Sequence, residues 1–306
     1  MSQPLRMFEP DRIYFVTNRT MQGRLLMRPS KDINNTIGGI LAKGQQKYNI
    51  EIFAFVFTSN HFHLMLRAPE GQLSDFLMYI ESNIARKVGK KVDWHGKFWE
   101  RRFSAEPVLD DDAMINRMIY VFSHGVKEGL VASPKEWPGL TCFAEAIEGV
   151  KRYFPWHNWS ALSKARKKRQ RVTRDHFVEF HSIKINPIPH LKHLDVKEYR
   201  KRLKKILEQA HAYGQERHGT KYFLGKQTIL EQHPHSRPKT VKRSSRPLCH
   251  ATCPVLRQTF RETYKAFHNA YKEASAAFRS GQWDTEFPLY SFKPPVPYHL
   301  LTPNPI

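Results

Sequence analysis

The chain has 306 residues, 40% of them hydrophobic and 12% aromatic, which is enough for a sizeable core, while 15 Gly and 20 Pro exclude a collagen-like or wholly disordered chain. Lys and Arg total 50 against 28 Asp and Glu, a formal charge of +22 that points to a polyanionic partner, with nucleic acid the usual one. Three cysteines, Cys142, Cys249 and Cys253, are too few for a disulfide scaffold, and no apolar run of signal-peptide or membrane-span length occurs, so a cytoplasmic protein without a membrane partner is expected.

Residues 12–17, RIYFVT, are aromatic and β-branched, as a strand requires. From Lys31 to Tyr48, Ile33, Ile37, Ile40 and Leu41 recur at helical spacing, although Gly38 and Gly39 disfavour a helix there. IEIFAFVFTS and HFHLMLRAP have strand propensity and meet at a TSN turn, which predicts a β-hairpin stopped by Pro69. A helix is predicted from Leu73, with Phe76, Leu77, Ile80 and Ile84 on its apolar stripe and Gly89 as terminator. WHGKFWERRFSAEPVL reads as a loop and a short strand. DDDAMINRMIYVFSHGVKEGLV then reads as a helix opened by capping aspartates and ended or bent by Gly125.

Beyond Trp159 the composition changes. Residues 1–160 carry 21 basic and 17 acidic side chains, and residues 161–306 carry 29 and 11. The second half is expected to be a basic, mainly helical extension with a mobile linker around 233–247 and an extended Pro-rich tail.

Alternate residues of a strand face the same side, so His61 and His63 point together while Phe62 and Leu64 point the other way. Two such imidazoles can bite one divalent ion, but alone the motif is weak and two polar residues on a wet strand face explain it better. Tyr120 and His124, four apart, share a helix face. Taken together, three imidazoles and a phenol make a coherent site. A metal can polarise a phosphodiester, and a tyrosine oxygen can attack phosphorus, with help because a free phenol has a pKa of about 10.

NHFHLML, followed about sixty residues later by YVFSHGVKEGLVASPKEWP, resembles the single-tyrosine HUH transposases, and among them the REP-associated tyrosine transposases. Those proteins show a His-hydrophobe-His strand, then a helix of the form Tyr-Ile-x-x-Asn-Pro-Val-Arg-Ala-Gly-Leu-Val, then an acidic-Trp/Tyr-Pro turn. Tyr120 stands at the nucleophile position, and Val126, Gly129, Leu130, Val131, Trp137 and Pro138 match further along. FWERRF and VTNR also fit, so the resemblance spans roughly residues 10–145. It implies an α+β, ferredoxin-like antiparallel sheet with helices on one face, and a catalytic domain over 1–160 followed by the extension 161–306. It also implies cleavage and rejoining of single-stranded hairpin DNA, on repeated palindromic elements, through a 5′-phosphotyrosine intermediate. The implied ligands of a Mg²⁺ or Mn²⁺ ion are His61, His63 and His124. His124-Gly125 departs from the family's Asn-Pro, and an imidazole in place of the amide shifts preference toward Mn²⁺. Lys127 replaces an arginine and retains a positive charge for phosphate.

Arg19, Arg67, Arg101, Arg102 and Lys127 lie near these motifs and are candidate DNA contacts. Trp94, Phe98 and Trp99 are candidates to stack on unpaired bases, with packing an equal alternative. Cys249, His250 and Cys253 lack the second ligand pair of a zinc site. Two rival readings remain at this level: a non-catalytic binder of structured DNA or RNA that retains the fold, and a nuclease that uses water instead of tyrosine. The sequence leaves open whether the protein is a monomer or a dimer.

Overall fold

The structure, a computed structural model, describes residues 5–218, 223–238 and 247–296. Four strands, β1 (Ile13–Arg19), β2 (Glu51–Phe57), β3 (His61–Arg67) and β4 (Ser104–Val108), form one sheet in the order β2-β3-β1-β4, with every neighbouring pair antiparallel. Helix α1 (Lys31–Lys47) follows β1 and α2 (Leu73–Lys91) follows β3. This is the β-α-β-β-α-β order of a ferredoxin-like core, as expected.

The alternation of the strands divides the sheet into two different faces. Phe62 and Leu64, fully buried, lie on the side covered by α1 and α2; Asn18 fixes that side by donating to Glu81 of α2 at 2.8 Å. Ser30 caps α1 by accepting from the Ile33 amide. The paired glycines that weaken α1 on propensity have a packing reason. A side chain at Gly38 would run into the Phe154 ring, and one at Gly39 into the Pro155 carbonyl.

Helix α3 (Asp111–Lys127) lies on the other face, added to the ferredoxin-like core after β4. Asp110 caps it by accepting from the Ala113 amide at 2.7 Å. Gly125 neither ends nor bends it. The helix runs two residues further and the chain turns at Gly129, whose φ of 69° suits glycine, while Gly125 sits close against Val131 and Trp137. Gly89 likewise does not stop α2, which continues to Lys91.

The remainder wraps back onto this core. Strands β5 (Tyr153–His157) and β6 (Val178–Ser182) pair antiparallel on either side of α4 (Trp159–Lys167), so hydrogen bonding crosses the expected division at residue 160. Helix α5 (Val196–His218) packs along α3 and buries Leu203, Ile206, Leu207 and Ala210. Helices α6 (Lys226–Glu231) and α7 (Pro254–Arg279) follow, and the described chain runs on without a helix or strand to residue 296. The expected mobile linker is docked where it is described: Ser236 accepts from the Leu25 amide, and His235 hydrogen-bonds the Val92 carbonyl. Residues 239–246 of that linker and 297–306 of the tail lie outside the described residues. Among the described residues no helix is long and apolar enough to cross a membrane.

Candidate active site

The two sheet faces explain the strand histidines. In the β1–β3 register His61 is opposite Arg19 and His63 opposite Thr17, all on the face that α3 covers. On α3, Tyr120 and His124 are one turn apart and both face the sheet. The His63 and His124 ring centroids lie 4.8 Å apart, those of His61 and His124 lie 4.7 Å apart, and ligand atoms of the three imidazoles fall within 4.8 Å of one another. The Tyr120 ring centroid is 5.2 Å from that of His63 and 5.6 Å from that of His124. The structure therefore brings together all four residues that the sequence singled out.

Neighbouring side chains orient His61. Asn60 donates its Nδ2 to the Gly23 carbonyl at 3.0 Å, which turns its Oδ1 toward His61 Nδ1 at 2.7 Å. Thr58 Oγ1 also approaches that nitrogen, at 2.9 Å. His61 Nδ1 therefore carries the proton, and the Nε2 lone pair faces His124 Nε2, 2.7 Å away. His63 and His124 are buried, and His61 is partly so. Burial holds His61 at about 4, with the charges of Arg19 and Lys127 adding to the effect, and holds His63 and His124 well below the ordinary imidazole value.

Both ring nitrogens of His63, and Nδ1 of His124, are buried without a hydrogen-bond partner. An unpaired buried polar atom costs about 1–3 kcal/mol, so neutral imidazoles left in this state fit a cation-binding role better than a structural one. The three imidazoles together could hold a divalent ion.

Tyr120 is half-buried, and burial, together with the negative charge of Glu128, raises its pKa. The charges of Arg117 and of Arg217 on α5 oppose this. The Arg117 guanidinium lies 5.0 Å from the ring centroid, and Lys127 places its ammonium 3.8 Å from it.

The other basic candidates divide. Lys127 lies at the site. Arg19 shares the His61 register and lays its guanidinium over Gly23, where any side chain would displace it. Arg67 is at the far end of β3, paired with Glu51 at 2.6 Å. Arg101 and Arg102 are exposed between α2 and β4, with the Arg101 carbonyl bound to Asn18 on the opposite face. Phe98 and Trp99 are buried, Trp99 with its edge to Phe62, so packing rather than base stacking accounts for them. Two residues at the site escaped the sequence reading. Arg117 stands three before Tyr120 and could have been found from helical spacing, whereas Arg217 reaches the site only because α5 folds back.

Residues 26–121 match the family model of IS200-like transposases. The matched segment takes in His61, His63 and Tyr120 and ends three residues before His124. A Haemophilus influenzae protein provisionally assigned as a REP-associated tyrosine transposase is 26% identical over 104 residues, covering 30% of this chain and 59% of that protein. The chain thus spans about three-fifths of the length of that relative. A solved REP-associated tyrosine transposase bound to a REP hairpin aligns with a TM-score of 0.43 and 18% identity, over 48% of this chain and 86% of that one. A Deinococcus radiodurans protein provisionally assigned as a transposase aligns with a TM-score of 0.28 and 19% identity, over 39% of this chain and 95% of that one. The segment that matches the IS200-like model holds β2, β3 and β4, the histidine pair and the tyrosine, while β1 and the motif residues after Val121 lie outside it.

Proposed function

We propose that this protein cuts and rejoins single-stranded DNA at or near hairpins, with Tyr120 as the nucleophile. The observation that carries the reading is the gathering of Tyr120 and three neutral imidazoles on one sheet face, with ring centroids within 5.6 Å of Tyr120 for His63 and His124. The H. influenzae relative and the hairpin-bound transposase suggest that the substrate contains repeated palindromes.

In this reading the phenolic oxygen of Tyr120 attacks phosphorus, gives up its proton, and forms a phosphotyrosine ester to the 5′ side as the 3′-oxygen leaves and takes a proton. Attack by a 3′-hydroxyl on the ester reverses the step and rejoins a strand. The ester conserves the bond, so no nucleotide cofactor is required. His61, His63 and His124 would hold a divalent cation, Mn²⁺ or Mg²⁺, which when bound supplies charge stabilisation at the phosphodiester. Lys127 and Arg117 favour the phenolate and can contact non-bridging phosphate oxygens. Asn60 and Thr58 hold His61 in the tautomer that presents Nε2.

The test is a labelled hairpin with single-stranded flanks, drawn from palindromes beside the gene, incubated with Mn²⁺ or Mg²⁺ and run on a denaturing gel. A covalent protein–DNA adduct is expected from the wild type and none from Tyr120→Phe. Free 5′-phosphate ends from Tyr120→Phe would move the chemistry to water, and salt-sensitive binding without any adduct would leave a non-catalytic binder.

A further inference from the structure

Beside the tyrosine lies a second feature that shares only Arg117 with the proposed chemistry. A cavity of about 350 Å³ opens between α3 and the segment leading into α7, lined by Asn116, Arg117, Cys249, His250, Arg257 and Arg261 among others. Three guanidinium groups come from two helices. Arg257 and Arg261, four apart, share a face of α7. Arg257 is held at the rim by donating to the Ala251 carbonyl at 2.6 Å. Arg117 presents a buried Nε that has no hydrogen-bond partner.

The nearby acids are committed elsewhere. Asp110 accepts from the amides of Ala113, Thr252 and Cys253 and from the Thr252 hydroxyl. Glu106 accepts from the Ser104 hydroxyl and lies 3.8 Å from His250. What remains facing the cavity is cationic or neutral, and burial keeps the Cys249 thiol protonated. Guanidinium forks match phosphate oxygens, and this volume admits a phosphate with its sugar.

We propose that this cavity holds a backbone phosphate of the single strand that crosses Tyr120, one nucleotide away from the scissile position. The inference rests on the function proposed above and names a contact of the same substrate. Arg117 joins the two sites, because its guanidinium is 5.0 Å from the Tyr120 ring centroid and also lines the cavity. His250 continues the link, edge-on to Phe15 at 5.4 Å, and Phe15 stacks on His63 at 5.2 Å. The role of the α7 segment is then to clamp the strand so that the next phosphate lies at the phenol.

The experiment measures binding without cleavage. Full-length Tyr120→Phe protein in EDTA is titrated with 5′-fluorescein dT₁₂ by anisotropy over a range of salt. Adding Arg261→Gln should weaken binding about tenfold and reduce the slope of log affinity against log salt by about 0.7. Arg261→Lys should recover part of both, and Arg117→Gln should behave as Arg261→Gln. Arg171→Gln, an exposed basic residue outside the cavity, should change affinity less than twofold. Wild-type affinity and slope in folded Arg261→Gln and Arg117→Gln, checked by circular dichroism, overturn the proposal, as does an equal loss in Arg171→Gln. If inorganic phosphate raises the melting temperature of the parent but not of Arg261→Gln, while dT₁₂ binding is unchanged between them, the cavity takes free phosphate and the strand contact is refuted. Because no adduct is scored, failure of the tyrosine chemistry leaves this result intact.

Discussion

His61 shows how much one side chain depends on its neighbours. Its Nδ1 proton is directed by Asn60, which is itself fixed by the Gly23 carbonyl. Asn60→Ala should therefore lower Mn²⁺ affinity, measured by titration calorimetry, by roughly 10–100-fold with little change in the number of sites. Unchanged affinity would mean that His61 does not serve as a ligand through Nε2. The same imidazoles set an acid sensitivity whose sign can be worked out. His61 titrates at about 4 in the folded chain, and His63 and His124 lie well below their ordinary value, whereas in the unfolded chain all three protonate near about 6.5. Below that value the unfolded chain binds more protons, so the metal-free protein loses stability as pH falls from about 7 toward 5. Urea midpoints should be lower at pH 5 than at pH 7.5. His124→Asn, with one fewer imidazole to protonate, should show a smaller drop; an equal drop would remove His124 from the account.

At the scale of elements, close approach explains what propensity alone does not. A side chain at Gly214 of α5 would run into Val126 of α3, so the two helices depend on glycine there to approach. Gly214→Leu should cost about 1–3 kcal/mol, read as a lowered denaturant midpoint, and Val126→Ala should recover only part of it, because the Val126 Cβ, 2.7 Å from the same position, stays in place. Such contacts mark the limit of what was legible in the sequence. The four strands of the main sheet, α1, α2 and α3 are legible because strand propensity and helical apolar spacing are local, whereas β5 and β6 carry no such signal and are not predicted. The histidine pair and the Tyr120–His124 turn could be read for the same reason, since a strand and a helix fix which side chains share a face. Gly38, Gly39 and Gly125 look like breakers on propensity, yet each is a packing position: Gly38 and Gly39 meet Phe154 and Pro155 more than a hundred residues on, and Gly125 meets Val131 and Trp137 of the turn that follows α3. No local period announces that. Nor does one announce that Phe98 and Trp99 turn inward, or that Arg217 returns to the tyrosine from another helix.

For the whole molecule, the change in composition near residue 160 is a change of surface charge more than of fold. Strands β5 and β6 pair across it, from Tyr153 with Ser182 to His157 with Val178. Across the same division α5 lays Leu203, Ile206, Leu207 and Ala210 against the core, each 8% exposed or less. Uncovering Leu or Ile side chains costs about 1.5–3 kcal/mol apiece, so losing three of them, with a strand pair as well, rivals the whole stability of a typical domain at about 5–15 kcal/mol. The chain cut after residue 160 should therefore be less stable than full-length protein, expressing as aggregate or melting without a cooperative transition in circular dichroism. A cut after residue 218, which keeps β6 and α5, should retain a cooperative melt. A soluble 1–160 fragment with a sharp transition would show that the basic half is an appendage. The expected failure would instead make residues 161–218 part of the fold that supports α3 and carries Tyr120 and His124 to the sheet.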